Sequence, residues 1–165
     1  MKRTNFTDEK FRKLCKNNST AYLIGAVILA LVAVCGLAAP VYLKLNHRGN
    51  IADIIGGMEL LTVALAFHFV SRIFRNMGIV GSPFSYDIAD KIMGLSQIIE
   101  IGATVSFAVS LIIRFTGHGD LIDSSACVDP GIFFLLAWTA ASFFSVLAKA
   151  FDHGAQLQQE SDETL

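Results

Sequence analysis

The chain has 165 residues, of which 53% are apolar and 16% charged, and its formal net charge is −1. A typical soluble domain is about 45–50% apolar and about 25% charged, so these charges are too few to cover an ordinary soluble surface. The mean hydropathy of +0.55 excludes a disordered chain. The balanced charge predicts no direct binding to nucleic acid, and the composition favours a membrane protein.

The first segment, residues 1–20, is basic and precedes a long apolar run. It predicts a cytoplasmic juxtamembrane helix with Thr7 as its N-cap residue. Residues 21–43 follow without a single charge and exceed the roughly 20 residues that cross a bilayer. This run is longer than the apolar region of a signal peptide, so we expect it to be retained as a membrane helix.

Three further apolar runs predict membrane spans over residues 51–71, 92–113 and 131–149. The expected fold class is all-α, a four-helix transmembrane bundle that runs up-down-up-down. Four buried helices of a soluble bundle would need polar outer faces, which these runs lack. Small residues such as Gly56 and Ala141 predict faces where the helices pack closely within one chain, and a homo-oligomer interface is the alternative use of such faces.

The loop before the third span contains a turn and a helix start. Ser85 is the predicted N-cap residue, with Asp87 in the first turn of the helix that follows. The polar, net acidic tail, residues 151–165, is too short for a domain. It predicts either a solvated extension of the fourth helix or a docking peptide.

Four crossings would place ten of the 13 Lys and Arg residues on one side of the membrane. The positive-inside rule assigns that side to the cytoplasm. Both termini and the loop 72–91 should therefore be cytoplasmic, and the acidic loop around Asp120, Asp123 and Asp129 should lie outside.

Two intramembrane acids are the main polar candidates. Glu59 falls on the side of the second span that carries small residues, and Glu100 shares a polar stripe of the third span with Gln97. Intramembrane acids often relay protons or cations. They also hold helices together as protonated polar groups, and the sequence leaves both interpretations open.

Two patches, GSPFSYDIADKI and AFDHGAQLQQESDETL, resemble those of small bacterial membrane proteins in the family catalogued as domain of unknown function 2975. The matching residues are Gly81, Pro83, Phe84 and Ser85 in the loop, and Phe151, Gly154, Leu157, Gln158, Asp162, Thr164 and Leu165 at the end. The resemblance implies four spans in a bacterial cytoplasmic membrane and no established enzyme activity. Members of that family are often encoded beside a small helix-turn-helix regulator, and the resemblance therefore implies a partner of that kind for this chain.

The sequence has no P-loop, no GxSxG and no HExxH motif. We therefore predict a non-enzymatic protein with no catalytic residues, no metal site and no cofactor, whose partners are the lipid bilayer and a small cytoplasmic regulator. One alternative function is proton-coupled transport or resistance through Glu59 and Glu100. Another is immunity to a cationic membrane-active peptide, which the acidic outer loop would attract.

Overall fold

The computed structural model describes residues 4–45, 53–80, 84–118 and 129–163, with some side chains at the helix ends left out. These residues form four long helices, and a π-helical turn at Arg114–His118 follows the third helix. The helices are α1 (Thr4–Leu45), α2 (Asp53–Val80), α3 (Tyr86–Ile113) and α4 (Pro130–Glu163). All four are long and apolar enough to cross a membrane, which confirms the all-helical class and supports the prediction of a multi-pass membrane protein.

The helices extend beyond the predicted spans. The basic segment is continuous with the first span, because α1 runs from Thr4 to Leu45 and passes through Pro40. Thr7 is therefore not an N-cap residue, and that prediction was wrong: the helix begins one turn earlier, since adding residues to an existing helix is favourable once it is nucleated. At the other end, α4 continues to Glu163, so most of the tail is a helical extension.

Helices α1 and α2 pack tightly together in antiparallel order. Ser71 Oγ donates to the Ser19 carbonyl oxygen at 2.8 Å, and further along the pair Gly36 faces Gly57. A Cβ atom built on Gly57 would lie 2.9 Å from backbone atoms of α1. Two glycines thus allow the backbones to approach closely, as is common between membrane helices.

Helix α3 lies against α2, also in antiparallel order. Thr62 sits opposite Gly102, and Phe69 sits opposite Gly94. A cluster of buried apolar side chains from α2, α3 and α4 fills the end of the structure where α3 begins. Its members are Ile73, Ile88, Ile92, Leu95 and Ala148.

Helix α4 packs along α3. Ser96 Oγ donates to the Ala141 carbonyl oxygen at 2.7 Å, and Trp138 Nε1 donates to Thr104 Oγ1 at 3.3 Å. The extensive contacts are therefore those between helices consecutive in the chain, and α1 packs chiefly on α2.

Large apolar side chains face outward in the middle of the helices. Leu31, Leu135 and Val146 are each about two-thirds exposed. A monomeric soluble protein rarely exposes apolar surface on this scale, and hydrocarbon is the solvent that suits it. Small residues such as Ala33 and Ala141 are also buried between the helices; Ala141 was predicted from the sequence to pack closely, whereas Gly56, predicted in the same way, has no neighbour within 4 Å of a Cβ atom.

Candidate functional site

The loop and tail patches, far apart in the chain, meet at one end of the structure. The Phe84 ring packs on the Phe151 ring with 5.4 Å between centroids and a 42° tilt. Ser85 is the N-cap residue of α3, as predicted, and its side chain accepts a hydrogen bond from the Ile88 backbone N–H at 3.3 Å. This cap fixes where α3 begins. It therefore also fixes the backbone position of Phe84, which directly precedes Ser85.

Gly154 leaves room for this contact. A Cβ atom at this position would lie 2.7 Å from Phe84 Cδ1, too close for an undisturbed ring. The ring therefore covers α4 from Phe151 to Gly154 and fixes the helical extension against the loop. We call this cluster, formed by Phe84, Ser85, Phe151 and Gly154, the loop–tail junction.

Polar contacts surround the loop–tail junction. The Tyr86 hydroxyl donates to Gln159 Oε1 at 3.4 Å. Asp87 accepts hydrogen bonds from both Asn76 and Lys91, which ties the end of α2 to the start of α3.

The outer surface of the extension presents an apolar and a polar side chain. Leu157 is 54% exposed, and its neighbour Gln158 is also exposed. The other residues of the two patches lie outside what the structure describes, namely Gly81, Pro83, Thr164, Leu165 and the side chain of Asp162.

Glu59 is buried among the helices. It is only 6% exposed, and within the described ranges its Oε1 atom has no hydrogen-bond partner. The register that sets Thr62 opposite Gly102 places Glu59 roughly level with Ser106, whose buried hydroxyl also lacks a described partner. Buried polar atoms are nearly always hydrogen-bonded. These two unpaired atoms therefore indicate a polar site between α2 and α3.

Glu100 occupies a different face. With Gln97 it lines a groove of about 380 Å³ between α3 and α4 that also contains Trp138 and Ser145. Glu59 belongs to the α2–α3 interface, so the structure does not bring the two carboxyl groups into one pocket.

The outer loop is described only in part. Asp120 and Asp123 lie outside the described residues, but Asp129 is placed. Its Oδ1 atom accepts from the Gly131 backbone N–H at 2.8 Å and its Oδ2 atom lies 3.8 Å from Arg114. Asp129 therefore caps α4. Among the described residues no three His, Cys, Asp or Glu side chains form a group that could hold a metal ion.

No family model, curated protein or solved structure matches the chain.

Proposed function

We propose that the chain is a non-enzymatic protein of a bacterial cytoplasmic membrane that binds a small cytoplasmic regulator through its loop–tail junction. The four helices would cross the membrane up-down-up-down with both termini inside. Two facts support this orientation: consecutive helices pack in antiparallel order, and ten of the 13 Lys and Arg residues then fall on one side.

The observation that carries the proposal is the contact of Phe84 with Phe151 and Gly154. It fixes a helical extension in place at the predicted cytoplasmic end, with Leu157 exposed for a partner. A pre-ordered surface binds more tightly than a mobile tail, because less conformational entropy is lost on association.

The charge of the extension fits a basic partner. After Lys149 the chain has no further Lys or Arg, but it has Asp152, Glu160, Asp162 and Glu163. A DNA-binding regulator carries a positive surface for phosphate, and an acidic helix would attract that surface and compete with DNA for it. The partner class, a small helix-turn-helix regulator, is the one that the sequence resemblance implies.

A matched pair of leucine variants tests this proposal. We expect Leu157→Ser to weaken binding of a small helix-turn-helix regulator of the kind that the resemblance implies at least tenfold, since a central apolar contact is typically worth about 2 kcal/mol. Leu14→Ser changes a similarly exposed leucine on α1 and should leave the affinity unchanged. The affinity is measured with the purified regulator and the full chain in lipid nanodiscs. Unchanged binding after removal of residues 157–165 would contradict the proposal.

A second candidate function is proton or cation transfer across the membrane, and the buried, unpaired oxygen of Glu59 favours it. Such groups in membrane interiors are costly and are commonly kept for function. Glu59 does not line the α3–α4 groove that contains Glu100, so transfer would involve Glu59 and the buried Ser106 hydroxyl at about the same level rather than Glu100.

A further inference from the structure

A cavity of about 730 Å³ opens between α1 and α2 near the end that we propose to be cytoplasmic. Four cationic side chains line it: Arg12 and Lys16 from α1, and Arg72 and Arg75 from α2. Among the described residues that line it there is no carboxylate. This concentration of positive charge suits an anionic ligand, and the pocket shares no lining residue with the loop–tail junction.

The four cations remain available to a ligand. The ion pairs found within the described ranges use Lys91 and Arg114 instead. Arg72 acts electrostatically on Asp87, but the Asp87 carboxylate already accepts hydrogen bonds from Asn76 and Lys91.

A hydrogen bond joins the two walls of the pocket. Ser71 Oγ donates to the Ser19 carbonyl oxygen at 2.8 Å, and the two hydroxyl oxygens lie 3.2 Å apart. This hydrogen bond joins α1 to α2 at the pocket itself, so the backbone positions that carry the cations are set relative to one another.

An apolar groove of about 190 Å³ continues from the pocket between the same two helices. Leu23 and His68 line both spaces, and Ala26, Ala30 and Ala64 line the groove further on. From residue 23 to residue 30 a helix rises about 10 Å, so the groove leads from the headgroup level into the hydrocarbon.

We propose that this site binds an anionic phospholipid, with the phosphate headgroup among the four cations and one acyl chain along the groove. Basic pockets between membrane helices on the cytoplasmic side suit anionic headgroups. A free phosphate would satisfy the cations but would leave the adjoining apolar groove unused, and this favours the lipid as the source of the phosphate.

Lipid binding to the full-length chain in detergent tests the headgroup site. Dioleoyl phosphatidylglycerol is titrated against dioleoyl phosphatidylethanolamine and followed by native mass spectrometry. We expect the double variant Lys16→Gln/Arg72→Gln to lose phosphatidylglycerol affinity about 30-fold, since each cation near an anionic surface contributes about a factor of five. The matched double variant Lys13→Gln/Lys149→Gln removes the same charge outside the pocket and should bind as the parent chain does. Equal losses in both, or no loss in either, would overturn the proposal.

A second arm tests the groove and separates a lipid from a free anion. Ala30→Leu fills the groove and should weaken phosphatidylglycerol binding, whereas Ala38→Leu, at an exposed position of α1 outside the groove, should not. Glycerol phosphate and inorganic phosphate, which have no acyl chain, should compete poorly. If either binds as tightly as the lipid and Ala30→Leu changes nothing, the site takes a free anion and the lipid assignment is wrong.

Discussion

Gly57→Ala is expected to lower the free energy of unfolding by about 2 kcal/mol, the cost of inserting a methyl group where the packing has no room. The new Cβ atom would lie 2.9 Å from the Gly36 carbonyl carbon and from the Leu37 backbone nitrogen. Backbone atoms in the middle of a helix cannot turn aside as a side chain can. The substitution must therefore push α1 and α2 apart along their whole contact.

The adjacent glycine provides a matched control. A Cβ atom on Gly56 would meet nothing within 4 Å, so Gly56→Ala should leave the stability unchanged or raise it, because alanine favours the helix by about 1 kcal/mol. Both variants are unfolded with SDS in mixed micelles and followed by circular dichroism. If the two substitutions have equal effects, the close contact between Gly36 and Gly57 does not exist.

Glu59→Met is expected to raise the free energy of unfolding by about 1–3 kcal/mol, the cost that an unsatisfied buried polar atom imposes. The Glu59 side chain is largely buried, with 6% of the residue exposed, and its Oε1 atom has no described partner. Methionine has a similar shape and fills the space without a polar atom. Glu59→Gln is the control: it keeps a polar group of the same shape in place and should leave the stability nearly unchanged.

The same variants separate two roles of this acid. If Glu59 carries protons or cations, Glu59→Met should increase stability and abolish ion flux in proteoliposomes. If the carboxyl group instead holds helices together, Glu59→Met should destabilise the protein. A loss of stability in the SDS titration would therefore show that the Glu59 carboxyl group is satisfied in the folded protein, and it would favour the structural role.

Much of the architecture follows from the sequence, because long apolar runs have few solutions other than membrane helices. The cap at Ser85 was also predictable, since it depends on residues that are neighbours in the chain. The sequence predicts that small residues pack between the helices, but not which small residue makes each contact. Both Gly56 and Gly57 lie on α2, and the one that contacts α1 is Gly57, because rotation of a helix about its axis is set by its neighbour rather than by its own sequence.

The sites required information that lies between the helices. Phe84 and Phe151 are 67 positions apart in the chain, and no local pattern predicts that their rings meet. The basic pocket arises because antiparallel packing sets Arg12 and Lys16 opposite Arg72 and Arg75; in the sequence these residues only indicate which side of the membrane they occupy. Glu59 and Glu100 were both recognisable as intramembrane acids, but the faces they occupy depend on the packing.

Both proposed binding sites require that the N-terminal segment and the tail, which bears the loop–tail junction, share the cytoplasmic side of the membrane. Cysteine labelling decides this with three variants, all of which carry Cys15→Ser and Cys35→Ser. The first keeps Cys127 as its single cysteine. The other two carry Cys127→Ser and gain a single cysteine through Glu9→Cys or Glu160→Cys. A membrane-impermeant maleimide applied to intact spheroplasts should label native Cys127, in the predicted outer loop, and should reach positions 9 and 160 only after permeabilisation. Labelling of position 9 or position 160 in intact spheroplasts would contradict the proposed orientation.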